Sequence, residues 1–151
     1  MFLGLPLATF IGIVLTAQPG AATEPEMQAA TRDKEQAVFA LCSGSKRTTC
    51  VVDGDTIWYR GEKIRLVGFD TPEIHHAACP RERELGEEAK LRLPDWLNAG
   101  AFSLEPNPDG RPRDRYGRSL LVLSRGGENV GQMFIADGLA EKRGGRENIW
   151  C

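Results

Sequence analysis

Residues 49–73, TCVVDGDTIWYRGEKIRLVGFDTPE, decide the fold. Val, Ile, Trp and Tyr are concentrated in Thr49 to Tyr59 and in Lys63 to Phe69. The short segment Arg60-Gly61-Glu62 separates these two runs. Runs of this composition, divided by a short turn that contains glycine, are typical of a β-hairpin. The stretch therefore predicts two antiparallel strands.

The rest of the chain adds helices and further strands. Apolar residues at helical spacing predict a helix over Leu85 to Leu97, which Pro94 should kink or split because proline removes a backbone hydrogen bond. Two more strands are expected at Phe102 to Glu105 and Arg118 to Ser124, on either side of a loop rich in Pro, Gly and Arg.

A short second helix is expected near the C-terminus. Asn129 and Gln132 form a plausible capping pair, and Gly138 is a typical stop. Short strands interrupted by one or two helices indicate an α+β domain, mainly β, in the form of a small barrel.

Length and composition limit the protein class. The 151 residues suffice for about one domain, and 41% hydrophobic with 26% charged residues excludes a disordered or membrane-embedded chain. The formal charge of -2 argues against a strongly basic protein that coats nucleic acid. From Cys42 onward the 17 basic and 17 acidic residues balance.

Four acidic residues crowd into one part of that balanced segment: Asp53, Asp55, Asp70 and Glu73. A concentrated acidic spot on a mildly basic body suits a metal-dependent site that acts on a polyanion, although such a spot can equally be a solvated loop.

The N-terminus predicts export. No charged residue precedes Glu24, and an apolar run from Phe2 to Val14 is followed by Gly20, Ala21 and Ala22. We expect a signal peptide over 1–22 with cleavage near Ala22, a linker over 23–41 and the folded domain over 42–151. The mature protein is expected to be secreted or periplasmic, monomeric and without stable membrane association. Because the first residues lack Lys and Arg, an uncleaved membrane anchor is the alternative.

The even number of cysteines in an exported chain favours disulfides. Cys42 and Cys50 flank a small polar loop, which favours their pairing and leaves Cys79 with Cys151, although four cysteines permit three pairings. His75, His76 and Cys79 could suggest zinc, but no fourth ligand is suitably spaced, so a solvated loop is the preferred interpretation.

Three ordered motifs carry the chemistry: D-G-D-T at 53–56, R-x-x-x-x-D-T-P-E at 65–73 and D-x-Y-G-R at 114–118. Alone, Asp-Gly-Asp is a common turn, Arg65 could be a strand residue paired with a carboxylate, and Arg118 could be one of several solvated arginines. Together, carboxylates that end two adjacent strands can converge, and such hard oxygen donors suit Ca²⁺ or Mg²⁺.

These three motifs resemble those of the staphylococcal nuclease family, over a match from about Cys50 to Ala140. The resemblance implies a five-stranded OB-fold barrel with packed helices. It also implies a Ca²⁺-dependent nuclease that hydrolyses the P–O5′ bond in DNA and RNA and leaves 3′-phosphate ends.

The resemblance further implies roles for individual residues. Asp55, Asp70 and the carbonyl of Thr71 would bind the metal, with Asp53 just behind them. Glu73 would position or deprotonate the attacking water. Arg65 and Arg118 would bind the scissile phosphate and stabilise the charge that builds up on it.

The sequence departs from the family after Ala140. Residues 141–146, EKRGGR, stand where the best-known members carry tyrosines that pack against the bound nucleotide. The alternative function is a non-catalytic OB-fold module that binds nucleic acid or peptide. A binding module has no use for a full carboxylate cluster, which would repel phosphate without a metal, so the retained residues favour the nuclease.

Overall fold

A computed structural model of the chain describes residues 33–145 and 149–151. The predicted signal peptide over 1–22 lies outside the described residues. The strands are β1 (Ala40–Leu41), β2 (Cys50–Asp53), β3 (Thr56–Tyr59), β4 (Glu62–Leu66), β5 (Phe69–Asp70), β6 (Ser103–Pro106), β7 (Ser119–Arg125), β8 (Glu128–Asn129) and β9 (Glu141–Lys142). The helices are α1 (Pro80–Asn98) and α2 (Val130–Ala136).

The main sheet runs in the order β1-β2-β3-β4-β7-β6, and β8 pairs with β7. Its five strands of four or more residues are β2, β3, β4, β6 and β7. Strands β4 and β7 run parallel, whereas β2-β3, β3-β4 and β6-β7 are antiparallel. A separate antiparallel pair joins β5 to β9. This arrangement, with two helices, is the expected OB-fold of the α+β class.

The predicted first strand, Thr49 to Tyr59, is in fact two strands. The chain turns after Asp53, whose Oδ1 accepts a hydrogen bond from the N–H of Asp55 at 3.3 Å. Aspartate favours such turns because its side chain can bind the backbone two residues ahead. The next turn matches the prediction: Arg60 and Gly61 both have positive φ, 51° and 82°, as a tight hairpin turn with right-handed strand twist requires.

Helix α1 is longer than predicted and is not split at Pro94. It begins with Pro80, whose missing N–H costs nothing in the first turn. Burial compensates for the proline farther along, because Ala89, Leu93 and Leu97 are almost completely excluded from solvent in the core. Helix α2 has the predicted cap, since Asn129 Oδ1 accepts from the N–H of Gly131 at 2.7 Å.

The domain includes residues that the sequence assigns to a linker. Glu35 and Phe102 exchange two backbone hydrogen bonds, of 3.0 and 2.9 Å. The buried Phe39 ring stacks on Tyr59 with a centroid distance of 5.8 Å. Residues 33–41 therefore pack against the barrel, and the linker prediction is wrong for this part of 23–41.

Both predicted disulfides are present. Cys42 is bonded to Cys50 and Cys79 to Cys151, with Cα–Cα distances of 4.9 and 5.9 Å. The second bridge holds the last residue of the sequence at the start of α1, where Cys79 is the N-cap. Within residues 33–145 and 149–151, neither helix is both long and apolar enough to cross a bilayer.

Candidate active site

The hairpin brings the two predicted metal-binding aspartates to one arginine. Asp55 lies in the turn between β2 and β3, and Thr56, the next residue, pairs with Arg65 on β4. Asp70 ends β5, shortly after β4. The strand register therefore places Arg65 between two carboxylates that are 15 positions apart in the sequence.

Arg65 forms ion pairs with both aspartates. Its Nη1 lies 3.0 Å from Asp55 Oδ2, and its Nη2 contacts Asp70 Oδ1. Nη1 also donates to the Leu66 carbonyl at 2.5 Å. The Arg65 side chain is only 12% exposed, so these contacts form away from bulk water and hold the guanidinium in place. The Arg65–carboxylate pairing considered from the sequence is thus present alongside the convergence of the two aspartates.

Asp55 is a buried carboxylate with several hydrogen-bond donors around it. Its Oδ1 accepts from the Thr56 hydroxyl at 3.0 Å, and its Oδ2 accepts from the Thr71 hydroxyl at 3.1 Å and the Thr71 N–H at 3.3 Å. Burial raises the pKa of Asp55 to about 6, the Arg65 charge opposes this shift and the Asp53 charge adds to it. A carboxylate held in this way gains from a nearby cation, because positive charge favours its ionised form.

Glu73 shares a cavity with the aspartates of the first motif. The cavity has a volume of about 140 Å³ and is lined by Asp53, Asp55, Thr71 and Glu73, among others. Glu73 is exposed, so water can reach its carboxylate. His75 and His76 are also exposed and line the same cavity. Cys79 is in a disulfide, which removes it as a partner for these histidines in a zinc site.

Glu82 is a residue that the sequence did not single out. It lies in the first turn of α1, is 9% exposed, and accepts hydrogen bonds from the N–H of Glu73 at 3.3 Å and the N–H of Ala78 at 2.5 Å. One buried carboxylate thus ties both ends of the Glu73–Ala78 segment to the helix. A lone Glu in an acidic helix start carries no sequence signal of such a role.

Glu141 is a second missed acidic residue. It pairs with Asp70 across β5 and β9. Burial raises the pKa of Glu141, and the Asp70 charge raises it further. The two carboxylates therefore repel each other, and this edge of the site attracts cations. The sequence offered no indication, because the pairing joins positions far apart in the chain.

Arg118 lies apart from this group. Its Nε donates to Asp114 Oδ2 at 2.7 Å, and its side chain lines a different cavity, together with Trp58 and Tyr116. Although burial raises the pKa of Asp114, its hydrogen bonds with Arg118 and Tyr116 lower it overall. Arg118 precedes Ser119, which pairs with Ile64, the neighbour of Arg65. Arg118 thus lies just before β7, the strand next to β4, and its ion pair is with Asp114 rather than with Asp55 or Asp70.

The donor set is chemically suited to a hard cation. Asp55 and Asp70 contact the two ends of one guanidinium, so their carboxylates lie on the same side of the barrel, and Ca²⁺ and Mg²⁺ prefer such oxygen ligands. In the described part of the chain, no three His, Cys, Asp or Glu side chains are grouped closely enough to hold a metal alone. Water, backbone oxygen or substrate oxygen would have to complete the coordination, as is usual for these ions.

The fold and the site define a class of small OB-fold proteins in which two aspartates flank one arginine and a glutamate lies on the adjacent loop. The sequence comparison makes this class specific. The family model described as Staphylococcal nuclease homologue matches residues 63–148, more than half of the chain. The protein belongs to this family.

Curated relatives agree with this assignment. The chain is 33% identical over 97 residues to a thermonuclease of Staphylococcus intermedius and 32% identical over 102 residues to a thermonuclease of Staphylococcus hyicus. These matches cover 62% and 65% of this chain and 56% and 59% of the relatives. The chain is also 35% identical over 98 residues to the succinoglycan biosynthesis protein ExoI of Rhizobium meliloti. That match covers 62% of this chain and 49% of ExoI. The chain thus spans about half the length of the relatives it matches.

Proposed function

We propose that the protein is an exported, Ca²⁺-dependent nuclease that hydrolyses phosphodiester bonds of DNA and RNA and leaves 3′-phosphate ends. The observation that carries the proposal is the convergence of Asp55 and Asp70 on Arg65, beside a cavity that Asp55 shares with Glu73. Two groups that can bind a cation, one that can bind phosphate and one that can position water suit metal-assisted phosphodiester hydrolysis. Membership of the family supports the same reaction.

Asp55, Asp70 and the Thr71 carbonyl would hold the Ca²⁺, with Asp53 supporting Asp55. The ion would act as a Lewis acid at a phosphate oxygen and neutralise charge. The fold buries Asp55, and the Thr71 hydroxyl and N–H both donate to its carboxylate. These hydrogen bonds fix the position of the Asp55 oxygens.

Glu73 would position the attacking water or take its proton. Its exposed carboxylate lines the cavity next to Asp55, where a water can be held by both the loop and the site. Glu82 keeps the Glu73 backbone in place through a hydrogen bond to its N–H. This support helps to place the Glu73 carboxylate correctly for the attacking water.

Arg65 and Arg118 would bind the oxygens of the scissile phosphate. A guanidinium matches phosphate with its planar fork and stays protonated, so both residues act electrostatically and donate no proton. Arg65 is already placed by Asp55 and Asp70. Arg118 has to exchange part of its contact with Asp114 for the substrate.

Export is part of the proposal. Two disulfides in a domain of this size are typical of proteins that fold in an oxidising compartment. A secreted or periplasmic location, with cleavage near Ala22, is checked by N-terminal sequencing of protein recovered outside the cytoplasm. A product that retains Met1 in the membrane fraction would support the anchor instead.

Cleavage of labelled DNA and RNA by the purified protein, with Ca²⁺ and with a chelator, tests the reaction. We expect cleavage with Ca²⁺ that stops in the chelator. Glu73→Gln should lower kcat by about 10² or more, as expected for removal of a general base. Glu84→Gln is the matched control, because Glu84 is exposed on α1. This variant should cleave at the wild-type rate. Binding of nucleic acid without cleavage by the wild-type protein would establish the non-catalytic module instead.

A further inference from the structure

The Cys79–Cys151 disulfide lies against the residue that supports the Glu73 loop. Cys151 Sγ is 4.0 Å from Glu82 Oε2, and Cys79 Sγ is 3.9 Å from the carbonyl oxygen of Trp150. Glu82 is buried, although it is in the first turn of α1, where a carboxylate can usually be solvated. The disulfide and the residues next to it therefore form part of the surroundings that keep water away from Glu82.

Glu82 connects the disulfide to both ends of the segment that carries Glu73. Its Oε1 accepts from the N–H of Glu73 at 3.3 Å, and its Oε2, the oxygen next to Cys151, accepts from the N–H of Ala78 at 2.5 Å. Ala78 also precedes Cys79 directly in the sequence. The disulfide thus acts on this segment through the backbone at one end and through the Glu82 carboxylate at both ends.

Helix α1 passes on the position of its first turns to the same segment. Arg83 Nε donates to the Ile74 carbonyl at 3.3 Å, and a Cβ at Gly86 would lie only 2.9 Å from Ile74 Cγ1. No gap separates the helix from the loop at this point. Cys79 is the N-cap of α1, and its side chain makes no capping hydrogen bond. The disulfide, rather than a capping side chain, therefore anchors the start of the helix.

Glu73 depends on this support more than a buried residue would. Its side chain is exposed, so packing in the core does not fix its carboxylate. Its position follows from its backbone, which the hydrogen bond to Glu82 holds. A small displacement of a catalytic group can lower a reaction rate by about 100-fold.

We propose that the Cys79–Cys151 disulfide is a redox switch for the candidate active site. When the bond is closed, Glu82 holds the Glu73 segment in place. A dithiol reductant opens the bond by giving one hydrogen to each sulfur, while its own two sulfurs form a disulfide. Water then reaches Glu82 and competes for its carboxylate, so the loop N–H groups are held less firmly. The proposal rests on the nuclease function, and it makes full activity dependent on an oxidising compartment.

The first test compares three oxidised forms of the full mature protein in cleavage of labelled DNA with Ca²⁺, well below Tm. Cys79→Ser/Cys151→Ser should lower kcat by about 10- to 100-fold at similar KM, because misplacement of Glu73 affects the transition state more than substrate binding. Cys42→Ser/Cys50→Ser opens the bond beside β1 and β2 and should cleave at the wild-type rate. Dithiothreitol should slow the wild type at least as much as Cys79→Ser/Cys151→Ser, and glutathione disulfide should restore it.

A double-mutant cycle tests whether the disulfide acts through Glu82. Members of one network do not contribute additively, so adding Glu82→Gln to Cys79→Ser/Cys151→Ser should lower kcat by less than about threefold further. Glu84→Gln, a change of the same kind at an exposed position of α1, should have no effect in either background. Losses that multiply would show that the disulfide and Glu82 act separately, which overturns the proposal.

Hydrogen exchange followed by mass spectrometry gives a readout that needs no cleavage. In a chelator, peptides that cover residues 73–78 should exchange faster in Cys79→Ser/Cys151→Ser than in the wild type, while peptides from β3 and β4 keep their protection. Unchanged exchange in 73–78, or loss of protection over the whole domain, overturns the switch. Faster local exchange without any wild-type cleavage refutes the nuclease alone, whereas wild-type cleavage with an equal kcat in the open variant refutes the switch alone.

Discussion

Removal of the Cys79–Cys151 disulfide should lower the stability of this domain more than removal of the Cys42–Cys50 disulfide. The bond closes 72 residues of chain and fixes Cys151 beside the N-terminus of α1. The perturbation is the double variant Cys79→Ser/Cys151→Ser, which leaves no free thiol. The matched comparison is Cys42→Ser/Cys50→Ser, which opens a bridge that spans 8 residues.

The chain-entropy model gives the expected magnitudes. Closing a loop of 72 residues restricts the unfolded chain by about 4.5 kcal/mol, and closing one of 8 residues by about 2.5 kcal/mol. The long bridge should therefore contribute about 2 kcal/mol more than the short one to the free energy of unfolding. Its loss should lower Tm by roughly 15 °C for a domain of this size.

Urea unfolding of the oxidised proteins, followed by circular dichroism, measures the free energy of unfolding of the wild type and of each double variant. Under a reductant that opens both bridges, the wild type and the Cys79→Ser/Cys151→Ser variant should become nearly equal in stability, because neither protein then has a disulfide. An equal or larger loss in Cys42→Ser/Cys50→Ser would refute the reasoning, because loop length would then not decide the effect. Peptide mapping of the oxidised protein that joins Cys42 to Cys79 or Cys151 would refute the pairing itself.

Two further predictions concern the site. Asp55→Asn should abolish Ca²⁺-dependent cleavage and yet stabilise the metal-free protein above pH 6. The pKa of Asp55 is raised in the folded state to about 6, so the wild type loses at most about 3 kcal/mol of stability as pH rises from about 4 through 6. The uncharged amide of the variant avoids that loss. Thermal unfolding in a chelator at pH 4 and pH 7.5 checks this, and an equal difference between variant and wild type at both pH values would contradict it. Glu82→Gln should lower kcat about tenfold at similar KM. The change replaces one of the two carboxylate oxygens that accept from loop N–H groups, and losing one such hydrogen bond costs about 1–3 kcal/mol. A rise in KM with unchanged kcat would show that Glu82 does not act through Glu73.

The local features of this protein follow from its sequence because they depend on neighbouring residues. The Arg60-Gly61 turn requires positive φ at two positions, and the hairpin around it was predicted. Asn129 caps α2 through its own side chain. The Cys42–Cys50 bridge closes a short polar loop, and its formation leaves one pairing for Cys79 and Cys151. Asp55 and Asp70, which both contact Arg65 in the structure, lie with it in the ordered motifs that the sequence singles out.

Only the tertiary structure decided the features that depend on contacts between distant segments. Helix α1 continues through Pro94 because Leu93 and Leu97 are buried in the core, which outweighs the lost hydrogen bond. Phe39 joins the domain by stacking on Tyr59 across the sheet. Glu82 reaches Glu73 because α1 packs closely on that loop: a Cβ at Gly86 would lie 2.7 Å from the Pro72 carbonyl oxygen. The free energies that stabilise these features come from burial and from contacts between distant segments, and residue spacing along the chain does not encode either.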